Sequence, residues 1–248
     1  MALFGKRPFL DRDIEAWHFE AWAWLLRNLG REAVAATPLV LPTKDFFPPT
    51  KLAGHDKAVH AFECVKSAMR MRDWPCELVP DDGPPGAQEV GEFFTLQTPN
   101  RPAGTFSAKD GVVTIVYAAD LVKEPMQLIA TFAHELSHYL LAGVKEEPPG
   151  GWELHELATD LTVAYCGFGV FGANSAFQFD RFQESGRQGW RSRRIGYFSE
   201  RTWALALATF LALTHRPGAA DAWLKPGLRD VVRAADKYLA KNPDLLPG

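Results

Sequence analysis

The sequence predicts a single α+β domain, with a small mixed sheet in its first half and helices filling its second. Three observations carry that reading. Short apolar and β-branched runs, broken by Pro, Gly and Asp-Gly turns, gather before residue 120. Apolar residues recur at helical spacing in long stretches after it. No linker, repeat or low-complexity tract divides residues 1–248, so one domain is expected, with an α/β part over 1–120 and a helical part over 121–248.

The elements follow in order. Residues 13–29 (DIEAWHFEAWAWLLRNL) form a helix stopped by Gly30. Trp17, Trp22 and Trp24 on it read as packing residues. The Pro-rich run TPLVLPTKDFFPPT is extended or turn structure, residues 55–71 are helical, and CELVP is a short strand. After the turn chemistry of DDGPPG at 81–86, strands are expected near 91–98 (GEFFTLQT) and near 111–118 (GVVTIVYA). A long helix, LVKEPMQLIATFAHELSHYLLAG, has Pro125 in its first turn and Gly143 at its end. VKEEPPGG reverses the chain into a second helix, WELHELATDLTVAYCGFG. An Arg-rich polar connection over 180–194 leads to two more helices near 199–214 and 225–240.

The totals exclude several classes. At 47% apolar and 23% charged residues the chain can build a sizeable core. A net charge of −3 gives no global attraction to nucleic acid or to an anionic membrane. Three cysteines, Cys64, Cys76 and Cys166, cannot all pair, which favours a reducing compartment. The start, MALFGKRPFLDRDIEAW, lacks a signal-length apolar stretch, and WALALATFLALT at 203–214 is too short for a bilayer. The expectation is a soluble, cytoplasmic protein with no membrane partner.

The apolar stretch LIATFAHELSHYLL holds three titratable groups, His134, Glu135 and His138, in the pattern H-E-x-x-H. On a helix, positions i and i+4 lie about 40° apart in projection and about 6 Å apart along the axis. Two imidazoles so placed can reach one ion at about 2.0–2.1 Å. Glu135, turned by about 100°, sits beside the ion's open side, where it can take a proton from a water that the ion has acidified. A catalytic zinc site wants a third protein ligand. Glu153, Glu156 and Asp160 share a stripe of the next helix, and His155 lies about 100° from Glu156. Glu156 is the choice for the third ligand, and Asp160, one turn on, is placed to accept the free ring N–H of a ligating histidine, His134. Burying these groups without partners would cost several kcal/mol, roughly, so a cation is expected among them.

H-E-L-S-H at 134–138, followed after 17 residues by E-L-A-T-D at 156–160, resembles the gluzincin metallopeptidases of the thermolysin type. The resemblance spans roughly residues 111–166. It implies a zincin-like catalytic domain with Zn2+ on His134, His138 and Glu156, Glu135 as general base, and Asp160 orienting the first histidine. It further implies that VVTIVYA is an edge strand above the cleft, to which a peptide or protein substrate adds by β-augmentation. The family supplies a Tyr or His downstream to stabilise the oxyanion. Here Tyr197, Arg193, Arg194 and His215 are the candidates, and Tyr197 is the one chosen.

The function expected is therefore a zinc-dependent hydrolase, a peptidase first, with a zinc-stabilised binding or regulatory module without efficient proteolysis as the alternative. Other features read as structural. His55, His60 and Cys64 form a helix surface rather than a second metal site, and Cys166 is an inert core thiol. Arg187, Arg191, Arg193 and Arg194 make a solvated turn rather than a nucleic-acid site. Phe168, Phe171, Phe177, Phe179 and Phe182 are core residues rather than a substrate pocket.

Overall fold

The computed structural model describes residues 7–81, 104–109, 112–183 and 198–247. The chain is mixed α and β and mostly helical. Helix α1, Arg12–Leu25, starts where the Asp11 side chain accepts the Asp13 N–H, and it unwinds through a π-type turn, Leu26–Gly30, where Gly30 takes φ of 100°. Helix α2, Arg31–Ala35, follows, and helix α3, Gly54–Ala68, occupies the stretch expected at 55–71.

A three-stranded sheet comes next. Strand β1 is Glu77–Asp81, β2 is Gly104–Lys109 and β3 is Val112–Ala118. The spatial order is β1-β3-β2, with β1 parallel and β2 antiparallel to β3. Ile115 faces Leu78 on one side and Phe106 on the other. This corrects the expectation that VVTIVYA is an edge strand. Its backbone groups are engaged on both sides, and the described edges belong to β1 and β2. Val113, Ile115 and Tyr117 alternate into the core, where Tyr117 packs edge-on against Phe132 at 5.5 Å between ring centroids. The strand expected near 91–98 lies outside the described residues, and β2 was not foreseen.

Helix α4, Pro125–Leu141, begins with Pro125 in its first turn, where no partner is needed for the missing N–H. Helix α5, His155–Tyr165, is preceded by a tight turn, Trp152–Leu154. The second helix expected over 152–169 is in fact cut at Gly167, and a further helix, α6, Gly169–Gln183, continues the chain. Gly167 has φ of 86°, its carbonyl accepts the Val40 N–H at 3.0 Å, and a Cβ there would lie 2.1 Å from the Pro38 carbonyl oxygen. Helices α7, Glu200–Leu213, and α8, Pro226–Lys241, close the fold as expected. Every residue from Trp203 to Leu211 on α7 is buried, so this short apolar helix is the centre of the helical half, packed between α6 and α8. Each fully buried Leu there contributes about 1.5–3 kcal/mol. No helix among the described residues is long and apolar enough to cross a membrane.

Phe168 and Phe171 are fully buried core residues, as expected, while the side chains of Phe177, Phe179 and Phe182 lie outside the described residues. Cys166 is buried and free, and burial pushes its thiol up to about 12. The ring of His55 meets the Tyr117 hydroxyl at 3.1 Å and that of His60 meets the Pro48 carbonyl at 3.1 Å, so each histidine has its own partner.

Candidate metal centre

Helices α4 and α5 pack side by side and are joined by a loop built to reverse the chain. Gly150 and Gly151 take φ of 82° and 72°, backbone that other residues rarely adopt. Helix α1 holds this loop in place. The Trp17 indole donates to the Pro149 carbonyl at 2.7 Å, and the Trp24 indole donates to the Glu146 carbonyl at 3.2 Å. Arg27 and Asn28 both reach the Glu146 carboxylate at 2.8 Å. The tryptophans thus pack as expected, and they also fix the angle at which α5 returns to α4.

The return brings His134, His138 and Glu156 together, with one ligand atom of each within 4.8 Å of the others. The two histidine Nε2 atoms are 3.1 Å apart, and Glu156 Oε2 lies 3.3 Å from the first and 3.6 Å from the second. A tetrahedral zinc ion with bonds of about 2.0–2.1 Å sets its ligand atoms roughly 3.3–3.4 Å apart. The triangle has the dimensions that such an ion demands.

The surrounding hydrogen bonds turn Nε2 of each ring inward. Asp160 Oδ1 accepts from His134 Nδ1 at 3.0 Å, and Asp160 Oδ2 accepts from the Phe198 backbone N–H at 3.0 Å. A carboxylate can only accept here, so a His134 proton sits on Nδ1 and Nε2 faces the triangle. His138 is oriented by a different set. The Thr159 hydroxyl gives its proton to the His155 carbonyl at 2.9 Å, which leaves its oxygen to accept from His138 Nδ1 at 3.3 Å. His155 Nε2 stands 3.2 Å from the same Nδ1. Burial first, and the neighbouring His138 second, lower the His155 pKa to about 4, so this ring is neutral and able to accept. Nε2 of each ring thus faces the triangle, and a Glu156 carboxylate oxygen completes it. Two ring nitrogens and a carboxylate oxygen this close need a proton or a metal cation among them.

The charges agree with that demand. Burial pulls the His134 pKa down, but the hydrogen bonds and charges of Asp160 and Glu156 outweigh it and raise it well above the ordinary imidazole value. Burial works to raise the Glu156 pKa, and His134 and His138 overcome it, holding this carboxylate well below its usual range. Glu135, 5% exposed, is raised above the ordinary carboxylate value by burial; the imidazoles oppose that shift and the Glu156 charge adds to it.

Five sequence-chosen residues thus meet on α4 and α5: His134, Glu135, His138, Glu156 and Asp160. Tyr197, Arg193 and Arg194, with the rest of the Arg-rich stretch over 184–197, lie outside the described residues. His155 and Thr159 were missed as orienting groups. The signal for them was present, because the rotation of about 100° that takes His155 off the Glu156 stripe turns it toward the other imidazole's rim. Comparison with protein-family models, with curated proteins and with solved structures gives no match.

Proposed function

We propose that the chain is a zinc-dependent hydrolase that cleaves amide bonds in peptides, built on a zincin-like arrangement of two adjacent helices. The observation that carries the reading is the triangle of His134, His138 and Glu156, with edges of 3.1, 3.3 and 3.6 Å and Nε2 of each ring facing inward. When bound, the ion would supply Lewis acidity toward a scissile carbonyl and toward the attacking water. The chain's own residues do the rest. Glu135, one position after His134 and buried beside the triangle, takes the proton of the attacking water on its carboxylate and delivers it to the leaving nitrogen. A pKa raised above the ordinary carboxylate value suits both halves of that transfer. Asp160 and the Thr159–His155 pair hold the imidazoles in the tautomer that ligation needs.

The chain returns to this centre at Phe198, whose N–H is fixed by Asp160. Its neighbour in sequence is Tyr197, and we assign to that hydroxyl the stabilisation of the oxyanion. An extended peptide would add along the outer side of β2, which pairs only with β3 among the described residues and packs against α4.

The test is hydrolysis of a peptide library by zinc-loaded wild type, Glu135→Gln and Tyr197→Phe, with metal content measured on each. Wild type should cleave and chelator should stop it. Glu135→Gln should bind zinc and lose turnover by a factor of about 10² or more. Tyr197→Phe should lower kcat and leave zinc content unchanged. Zinc-loaded wild type without cleavage would favour the alternative, a zinc-stabilised binding module.

A further inference from the structure

Away from the candidate metal centre, the N-terminal segment, the start of α7 and the end of α8 border a shallow, open cleft of about 510 Å³. Its lining includes Arg7, Arg201, Lys237 and Lys241, and no carboxylate among the described residues. A chain of net charge −3 has thus gathered four cations around one concavity. Lys237 and Lys241 stand one helical turn apart on α8, so they face the same way. All four cationic residues are exposed. Like charges so placed repel one another, and a bound anion removes that repulsion.

Two details make this more than a basic surface. Arg201 is fixed in place: its Nε donates to the Phe9 carbonyl at 2.6 Å, and its guanidinium lies 4.1 Å from the centre of the Phe9 ring. The outer nitrogens of that planar group remain as a preorganised fork. Glu15, behind the cleft wall, is turned inward. It is buried and accepts from the Phe9 and Leu10 backbone N–H groups at 2.6 and 3.0 Å and from the Tyr238 hydroxyl at 2.6 Å. None of these contacts is with the four cationic side chains of the cleft.

We propose that this cleft is a binding site for a compact polyanion carrying two or more phosphate groups. Arg201 grips one phosphate through its fork, and Arg7, Lys237 and Lys241 neutralise the others. The Phe9 ring is already engaged by the Arg201 guanidinium, and the cations dominate the polar lining, which favours phosphates. The same chemistry is offered by a soluble polyphosphate and by a multiply phosphorylated lipid headgroup.

The probes are tripolyphosphate in solution and neutral vesicles with or without a bisphosphorylated inositol lipid. Calorimetry and vesicle sedimentation are run on wild type, on Lys237→Gln/Lys241→Gln, and on Lys44→Gln/Lys51→Gln, which removes the same charge elsewhere. Saturable one-to-one binding of tripolyphosphate, weakened at least tenfold in the first double variant only, would support a site for a soluble ligand. Binding confined to the phosphoinositide vesicles, with the same dependence on Lys237 and Lys241, would support a headgroup site. Equal loss in both double variants would reduce the attraction to diffuse charge and overturn the proposal. So would binding to neither probe.

Discussion

The Nε2 atoms of His134 and His138 face each other at 3.1 Å, while on the far side of the rings Asp160 meets Nδ1 of His134 and the Thr159–His155 pair meets Nδ1 of His138. Both ring nitrogens and the Glu156 carboxylate face one point, and a divalent ion that displaces the proton there should stabilise the fold strongly. Metal at a hundred times its Kd should add about 2.7 kcal/mol. Thermal unfolding with zinc and with chelator measures it directly. His138→Ala should abolish the zinc response. A wild-type Tm indifferent to zinc over a wide range of concentration would show that the triangle holds no ion. Uptake should release protons, so apparent affinity should rise with pH.

Asp160 has donors on both oxygens, the His134 Nδ1–H and the Phe198 N–H. Asp160→Asn keeps the shape but sets an amide N–H against one of those donors. His134 then has reason to move its proton to Nε2, where the ion should sit. Zinc affinity should drop about 10–100-fold, read by competition with a chelating dye. An unchanged affinity would mean that Asp160 does not set the tautomer. A buried donor left unmatched should also lower stability by about 1–3 kcal/mol.

His18 gives a separate, acid-side effect. It is fully buried on α1, and its Nε2 bonds to the Thr209 hydroxyl oxygen at 3.3 Å, since that hydroxyl donates to the Leu205 carbonyl. Burial lowers its pKa from 6.5 to about 3. The unfolded chain therefore binds a proton that the native chain refuses between these values. Stability is complete above about pH 6.5 and should fall as pH drops toward 3, by up to about 1.4 kcal/mol per pH unit. His18→Gln should flatten that slope, at the cost of about 1 kcal/mol near neutrality from a poorer fit. Urea unfolding midpoints of the two proteins from pH 4 to 7 would show it. Parallel slopes would place the acid sensitivity elsewhere.

The His134–His138–Glu156 cluster was legible because its spacing is local. His134 and His138 share a helix face by period alone, and the Gly150–Gly151 reversal is visible in the sequence. What escaped was long-range. Helix periodicity runs through Cys166, and nothing near Gly167 announces that the backbone of Pro38 will press against it, so the second helix was carried past its true end and α6 was not expected. The β3 strand was expected at an edge because the family resemblance implied it; β2, just before it, was not foreseen, and β1 precedes it by more than 30 residues. Trp17 and Trp24 read as packing, since an indole's apolar area is evident from its type. Their N–H partners on the α4–α5 loop, more than 120 residues away, are not.

Glycines 150 and 167 separate two causes of strain. Both take positive φ, so an alanine at either costs about 1 kcal/mol or more from backbone conformation alone. At Gly150 the new methyl meets the end of the Leu154 side chain, which can rotate away. At Gly167 it meets the Pro38 carbonyl oxygen at 2.1 Å, a backbone atom, and the Thr37 side chain at 3.2 Å. Relief there means pushing the 37–40 segment off the break between α5 and α6 and losing the Val40 N–H to Gly167 carbonyl bond. Gly167→Ala should therefore be the more damaging of the two, by about 2 kcal/mol or more. For a domain of this size that corresponds to a Tm lower by roughly 4–8 °C. Calorimetry of the two variants side by side decides it. Equal losses would mean that the Pro38 segment yields freely and that the α5–α6 break is soft.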